Sequence, residues 1–219
     1  MYNIIVLAAG QGYELDGFNK LLIKNPKNGK TIIESFVNYF NEHNIIFVLG
    51  YRAINVMNQY HKQKYIYNLY WSSLKNSYSL NLALDEDIPS LIISGDLIID
   101  KHLAHDLLNS KLKNFICSRS SENRDESSIN IEINADSKKV SKIYKGKANS
   151  SFDQETVGIY KIESTRLLKK WKLNCAKFSN LFIAENLPLD IEEIDFYNVD
   201  KYEIKEINNP NDYIKLLGD

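Results

Sequence analysis

Residues 4–8 read Ile-Ile-Val-Leu-Ala, and glycines follow at positions 10 and 12. An apolar run with no polar alternation has to be covered on both faces, which marks a buried, central, parallel strand. Glycines directly behind such a strand let main-chain amides turn toward an anion, and the helix expected after them adds a favourable dipole. The same unit repeats. Apolar runs at 45–49 and 90–94 end at Gly50 and at Gly95-Asp96, and 65–69 and 114–118 are also strand-like. Between them lie helix patterns at 31–43, 53–60, 77–84 and 102–108. The first of these has Thr31 as cap and Glu34 three residues later, a capping box. In 77–84, Leu80, Leu82 and Leu84 are expected to be partly buried. Strands alternating with helices over the first part of the chain predict a parallel sheet with helices on both faces.

The second part of the chain has a different texture. Ile129, Ile131 and Ile133 alternate with Asn130, Glu132 and Asn134, the period of a half-exposed strand. Residues 135–137 form a turn, and 140–144 return as its partner. A further strand spans 156–162, and Ser164 caps a helix running to 173. A last helix starts at Asn209-Pro210, with Asn as cap and Pro in the first turn. The polar stretch 120–128 is read as a mobile loop. The fold class expected is α/β: a Rossmann-like, mostly parallel sheet flanked by helices, with a small antiparallel insertion. One domain is expected over residues 1–219.

Composition narrows the function classes. Among 219 residues, 27 Lys and Arg face 28 Asp and Glu, a net charge of -1. That balance gives no general attraction to nucleic acid. No run approaches the roughly 20 apolar residues of a membrane span, so no membrane insertion is expected. The N-terminal stretch lacks the basic region of a secretion signal, so a cytoplasmic location is expected. Cys117 and Cys175 lie in apolar surroundings and read as buried free thiols. The arginines are Arg52, Arg119, Arg124 and Arg166, none of them near the glycine loop.

Two familiar phosphate-binding loops do not fit. A dinucleotide fingerprint needs a small residue three positions after Gly12, where Leu15 stands. It also needs an acid after the second strand, where Gly50-Tyr51-Arg52 stands. This argues against a nicotinamide-dependent oxidoreductase. A P-loop would close with Gly-Lys-Ser/Thr, which is missing.

A wider set of motifs fits better. Leu7-Ala8-Ala9-Gly10-x-Gly12 is followed eight residues later by Lys20, then Leu21-Leu22. Down the chain come Val48-Leu49-Gly50-Tyr51-Arg52, Asn76-Ser77-Tyr78-Ser79-Leu80, Ser94-Gly95-Asp96, a strand ending at Lys145, Val157-Gly158-Ile159-Tyr160 and Glu206-Ile207-Asn208. This ordered set resembles the NTP-transferase (sugar-phosphate nucleotidyltransferase) family, and its Asn76–Leu80 segment is similar to that of phosphocholine-type cytidylyltransferases. The resemblance spans the chain and implies a glycosyltransferase-A-like Rossmannoid fold. It implies transfer of a nucleoside monophosphate, CMP by the Asn76–Leu80 segment, from an NTP to a phospho-alcohol, sugar phosphate or phosphonate, with release of pyrophosphate. It further implies a place in capsule, surface-glycan or lipid biosynthesis.

Carried over residue by residue, the resemblance makes Lys20 the triphosphate-binding and catalytic lysine. It places Leu7, Ala8, Ala9, Gly10, Gly12, Asn76 and Ser79 around the nucleotide. Asp96, also catalytic, and Asn208 become ligands of Mg²⁺, with Asp212 as a fallback, and Lys145 holds the acceptor phosphate with Lys147 behind it. Trp71 and Tyr78, with Tyr70, are candidates for contacting the acceptor through aromatic faces, against plain core packing as the alternative. The partners implied are CTP and a phosphorylated small molecule. Dimerisation is left open.

The chain departs from the family at one conspicuous place. Glu14 stands where the family has a loop arginine, and Asn19 stands where it has a proline before the lysine. A carboxylate beside a triphosphate is repulsive unless a cation intervenes. Three readings follow: Arg52 or Lys24 reaches in; Glu14 points away or meets a second Mg²⁺; or the chain binds nucleotide without turning it over. His102 and His105, one helical turn apart, have no third ligand at defined spacing and read as a solvated face. Trp171 among Lys169, Lys170 and Lys172 reads as the buried side of an amphipathic helix.

Overall fold

The run at 4–8 is covered on both faces, as its lack of alternation requires. In a computed structural model, which describes residues 1–121 and 124–218, it forms β1 (Asn3–Ala8). Ile4 and Val6 face one core layer, with Phe36, Phe47 and Leu103, while Ile5 and Leu7 face a second, with Leu80, Tyr160 and Trp171. Each such side chain fully buried contributes about 1.5–3 kcal/mol, so both layers hold β1 in the middle of the sheet.

Parallel neighbours flank it. β2 (Asn44–Leu49) pairs on one side and itself carries the parallel strand β3 (Lys64–Tyr67). β4 (Ser90–Ser94) pairs on the other, with Leu7 opposite Ser94. Beyond β4 the direction reverses. β9 (Gln154–Ile162) runs antiparallel to β4 and to β6 (Asn114–Arg119), and β10 (Asp195–Asn198) closes the row, parallel to β6. The hairpin of β7 (Ile129–Ile133) and β8 (Val140–Lys145) hangs on the extended start of β9. The antiparallel insertion is therefore continuous with the main sheet. A separate two-stranded ladder joins β5 (Leu97–Ile99) to β11 (Ile204–Glu206).

The helices are α1 (Ile32–Tyr39), α2 (Ala53–Gln59), α3 (Asn76–Ala83), α4 (Lys101–Asn109), α5 (Thr165–Lys177) and α6 (Pro210–Gly218). The first layer takes side chains from α1, α2, α4 and α6, and the second from α3 and α5. Trp171 is fully buried and donates its ring N–H to the Ile183 carbonyl at 2.9 Å, tying α5 to the irregular stretch that precedes β10.

Several sequence expectations change. The helix expected after the glycine loop is a single 3-10 turn, Tyr13–Leu15, bounded by left-handed residues at Gly12, Asp16 and Gly17. Three left-handed positions within six residues leave no room for an α-helical hydrogen-bond ladder. α1 stops at Tyr39, short of 43, and α5 runs past 173 to Lys177. β3 ends at Tyr67, short of 69, with the Asn68 amide making the last rung to the Leu49 carbonyl of β2 at 2.8 Å. Leu82 is exposed, whereas Leu80 and Leu84 are buried. β5, β10 and β11 are too short to show a period of their own. Of the loop at 120–128, residues 122 and 123 lie outside the described residues. Cys117 and Cys175 are buried free thiols, and burial pushes both thiol pKa values up.

The capping box of α1 is formed on both sides. Glu34 donates its amide to Thr31 Oγ1 at 3.2 Å, and the Thr31 amide donates to the Glu34 carboxylate at 2.7 Å. That backbone bond holds the Glu34 pKa below its ordinary value. A depressed carboxylate stabilises the fold above its unfolded pKa, and the contribution is lost as pH falls through the folded pKa. Thr31→Ala is expected to lower the unfolding free energy by about 1 kcal/mol in urea titrations at neutral pH. The deficit of Glu34→Gln should shrink as the pH is lowered through the carboxylate range.

Candidate active site

Parallel strands deliver their carboxyl ends to one edge of a sheet, and ligand crevices of α/β folds open there. Here the ends of β1 and β4 lie side by side and carry Ala9-Gly10 and Gly95-Asp96. Two cavities, of about 370 and 340 Å³, meet at this edge and share Leu7, Asn76 and Ser94. The first has Gly10, Tyr13, Asn68, Trp71, Ser79 and Asp96 among its walls. The second has Arg119, Glu155, Phe182, Glu206 and Asn208. A narrow cleft beside the first is lined by Gly10, Gly12, Asn19, Lys20, Gly95 and Asp96.

At the junction stands Lys20. Its ammonium donates to Asp96 Oδ2 at 3.1 Å and to Asn208 Oδ1 at 2.9 Å. Three local devices bring these residues together. Lys20 opens a 3-10 turn capped by Asn19, whose Oδ1 accepts from the Leu21 amide at 3.1 Å and whose amide group donates to the Tyr51 carbonyl at 3.4 Å. Asn19 thus supplies the cap that orients the lysine. Asp96 sits directly after β4. Asn208 arrives through the small ladder, in which Glu206 pairs with Leu97 and the Ile207 amide donates to the Asp96 carbonyl at 3.0 Å.

Asp96 Oδ1 is buried and has no hydrogen-bond partner among the described residues. An unpartnered carboxylate oxygen in a crevice is costly unless a cation or donor meets it. Beside it, Glu206 accepts from the Asn208 side-chain amide at 2.8 Å. Burial first, and the Asp96 charge second, push the Glu206 pKa up, against the pull of its Asn208 bond and of Arg119 and Lys20. One carboxylate and one amide oxygen at a phosphate-sized crevice form a hard, oxygen-only donor set. This fits Mg²⁺, which takes few protein ligands and keeps water and phosphate oxygens for the rest. Among the described residues there is no group of three or more His, Cys, Asp or Glu placed to hold a metal. Asp212 is occupied otherwise: its Oδ2 accepts from the amides of Asn208 and Asn209, at the start of α6.

The other candidates separate. Ser79 is buried and accepts from the Asn68 side-chain amide at 2.9 Å, so the two form one polar wall of the first cavity. Asn76 lines both cavities and ties α3 to the stretch before β10, accepting from the Ile183 amide at 3.0 Å. Trp71 packs edge-on to Tyr51 with centroids 5.1 Å apart and lines the first cavity, on the side of Ser79. Tyr78 packs instead against Tyr70, 5.5 Å between centroids, and lines neither cavity. The aromatic trio is therefore split. Lys145 is exposed and stands over the Phe182 ring at 5.2 Å, as Lys75 also does. Lys147 is exposed, 3.9 Å from Glu126.

Glu14 is exposed on its 3-10 turn and lies outside these cavity walls. Neither cation expected to compensate for it lines the crevice. Arg52 stacks over Tyr51 at 5.3 Å, and Lys24 pairs with Thr31 beside α1. The cations that do line it are Lys20, Lys75 and Arg119. Arg119, Glu155, Asn68 and Phe182 are not among the site residues expected from the sequence, and Glu206 enters there only as part of the Glu206-Ile207-Asn208 motif. Arg119 and Asn68 lie at or just past strand ends, the signal that identified Asp96 and that would have found them too.

The fold matches those of nucleotidyltransferases. CTP:phosphocholine cytidylyltransferase from Streptococcus pneumoniae superposes with a TM-score of 0.79 at 20% identity, covering 100% of this chain and 99% of that one. The inositol-1-phosphate CTP transferase of T. maritima gives 0.73 at 17% identity, covering 100% and 95%. A putative glucose-1-phosphate thymidylyltransferase from Bacillus anthracis gives 0.73 at 15%, covering 100% and 94%. No protein-family model and no curated protein sequence matches the chain. At these identities the likeness establishes the architecture: a mixed, mostly parallel α/β nucleotidyltransferase fold along the whole chain.

Two glycines at this edge do different work. A Cβ on Gly95 would meet Ala8 Cβ at 2.6 Å and the Leu7 carbonyl at 2.9 Å, whereas a Cβ on Gly10 meets nothing within 4 Å. Gly95→Ala is expected to cost about 1–3 kcal/mol of stability through overpacking. Gly10→Ala should leave the melting temperature essentially unchanged in thermal unfolding, because its methyl group meets nothing within 4 Å.

Proposed function

We propose that this chain is a Mg²⁺-dependent nucleotidyltransferase that moves CMP from CTP to a phosphorylated small molecule and releases pyrophosphate. The observation that carries the reading is the meeting of Lys20, Asp96 and Asn208 at the junction of two cavities. A two-substrate transfer needs two adjoining sites and a charged point between them, and little covalent help. The nucleotide lies in the first cavity, its base against the main chain of Leu7–Gly10 and the Asn76–Ser79 turn. Its triphosphate follows Gly10 and Gly12 toward Lys20. The acceptor lies in the second cavity, with Lys145, over the Phe182 ring of that cavity's wall, as the candidate for its phosphate.

In that arrangement Lys20 binds the triphosphate and offsets the charge that develops as the acceptor oxygen attacks the α-phosphorus. Gly10 and Gly12 offer amides, and Asn19 keeps the lysine aimed. Asp96 and Asn208 would hold Mg²⁺, which when bound neutralises phosphate charge and orients the reacting oxygens. The preference for CTP is supported by the Asn76–Leu80 segment and by the two CTP-using proteins of the same fold. The acceptor class is a phospho-alcohol, sugar phosphate or phosphonate, used in building surface glycan, capsule or lipid. Dependence on an NTP donor suits the cytoplasm, and no helix of the described residues is long and apolar enough to cross a membrane.

Pyrophosphate release is to be measured with four NTPs and a panel of phosphorylated acceptors. CTP with one acceptor class is expected to give turnover, and Lys20→Ala and Asp96→Asn to lower kcat/KM by about 10²–10³-fold. No release with any pair would sink the proposal. Glu14 motivates a second reading, a nucleotide-binding protein without turnover. It predicts calorimetric CTP binding with no pyrophosphate, and any wild-type turnover rejects it.

A further inference from the structure

The ammonium of Lys20 lies between the two side chains that suit a divalent cation. It is within 3.1 Å of Asp96 Oδ2 and 2.9 Å of Asn208 Oδ1. Both side chains of the ion pair are about four-fifths shielded, with relative exposures of 20% and 21%. The second carboxylate oxygen, Asp96 Oδ1, is buried without a partner among the described residues. Asn208 is fixed as well, since its amide group donates to Glu206 and its backbone amide to Asp212. Lys20 is a compact charge on a flexible four-carbon stem.

We propose that Lys20 competes with the metal for the Asp96–Asn208 pair, so that metal and triphosphate enter together. The inference rests on the reading of Asp96 and Asn208 as the metal-holding residues. An ammonium and a divalent cation on the same two oxygens would stand within a few ångströms of each other. Like charges repel strongly at such separations in a shielded crevice. A cation reaching both oxygens therefore displaces Lys20, and displacement is unfavourable while Lys20 has no other anion to meet. The triphosphate supplies that anion, because the cleft lined by Lys20 is continuous with the Gly10–Gly12 turn. Metal alone is then bound weakly, nucleotide tightens it, and by linkage metal tightens nucleotide to the same extent. The loop lysine thus does two jobs: it guards the metal ligands, and it leaves them for the triphosphate. An arginine two residues after Gly12 would have offered the triphosphate another partner. With Glu14 there, the transfer of Lys20 carries more of the coupling.

The test uses the full-length protein and Mn²⁺ as the probe, with free Mn²⁺ read by electron paramagnetic resonance and no turnover required. Without nucleotide, Lys20→Met is expected to bind Mn²⁺ about fivefold or more tightly than wild type. With a non-hydrolysable CTP analogue present, the order should invert, because the variant lacks the charge that fixes the triphosphate. Lys20→Gln should behave like Lys20→Met, and Lys20→Arg like wild type. Adding Asp96→Asn to Lys20→Met should abolish the gain. Unchanged or weaker Mn²⁺ binding in both neutral variants overturns the inference, as does a gain that survives Asp96→Asn. Wild-type pyrophosphate release alongside such a result would leave the transferase reading standing. Absence of Mn²⁺ binding in every variant, with and without nucleotide, overturns the inference and the metal assignment together.

Discussion

The site depends on how closely β4 can lie beside β1 at their carboxyl ends. Leu7 and Ser94 are paired in register, and the main chain of Gly95 then passes over Ala8 with no room for a side chain. That approach sets the spacing between the glycine loop and Asp96, and so the distance Lys20 has to span. Any residue larger than glycine at 95 would push Asp96 outward and open the cleft. The close contact is possible because β1 is locked from both faces by apolar side chains and cannot shift to relieve it. Stability in the core is thus converted into position at the edge.

Charge at that edge is arranged in series. Arg119 binds Glu155 at 2.9 Å and also lowers the cost of ionising Glu206; Glu206 takes the Asn208 amide; Asn208 and Asp96 take Lys20. Within this series, among the described residues, one oxygen of Asp96 is left buried without a partner. Buried polar networks are stable when every member is satisfied, so a single orphan is where such a network is open to a ligand. The near-neutral total charge hides this order, because sums over a chain carry no information on who stands next to whom.

The parts legible in the sequence were those encoded by contiguous residues. β1, β2 and β4 were visible as apolar runs, α1 by its capping box, and the β7–β8 hairpin by alternation around a turn. Asp96 was legible because it follows a buried strand directly, and Lys20 because its spacing from Gly12 matched a known pattern. What escaped notice depends on partners far along the chain. Glu206 acquires its setting only from the ladder with β5, and Asn68 from β2 and from Ser79 of α3. β5 and β11 have three residues each and exist as a ladder because they meet. The glycine loop was misjudged as a helix start, since a hydrophobic period says nothing about left-handed positions at Asp16 and Gly17. Closeness in sequence at Tyr70, Trp71 and Tyr78 does not give a common direction: Trp71 lines the first cavity, while Tyr70 and Tyr78 pack on each other.

The β5–β11 ladder has a consequence for assembly. It joins residues more than a hundred positions apart, and the Lys20–Asn208 contact spans 188. The central parallel strands and the glycine loop all precede residue 100, so during synthesis they emerge well ahead of Asn208. Contacts of such long separation also form late in refolding, since loop closure must be met before they contribute. The crevice therefore exists as an open half until the C-terminal segment docks, and one of its sides is added last. A growing or half-folded chain carries the glycine loop without Asn208, and so lacks the complete cluster of Lys20, Asp96 and Asn208.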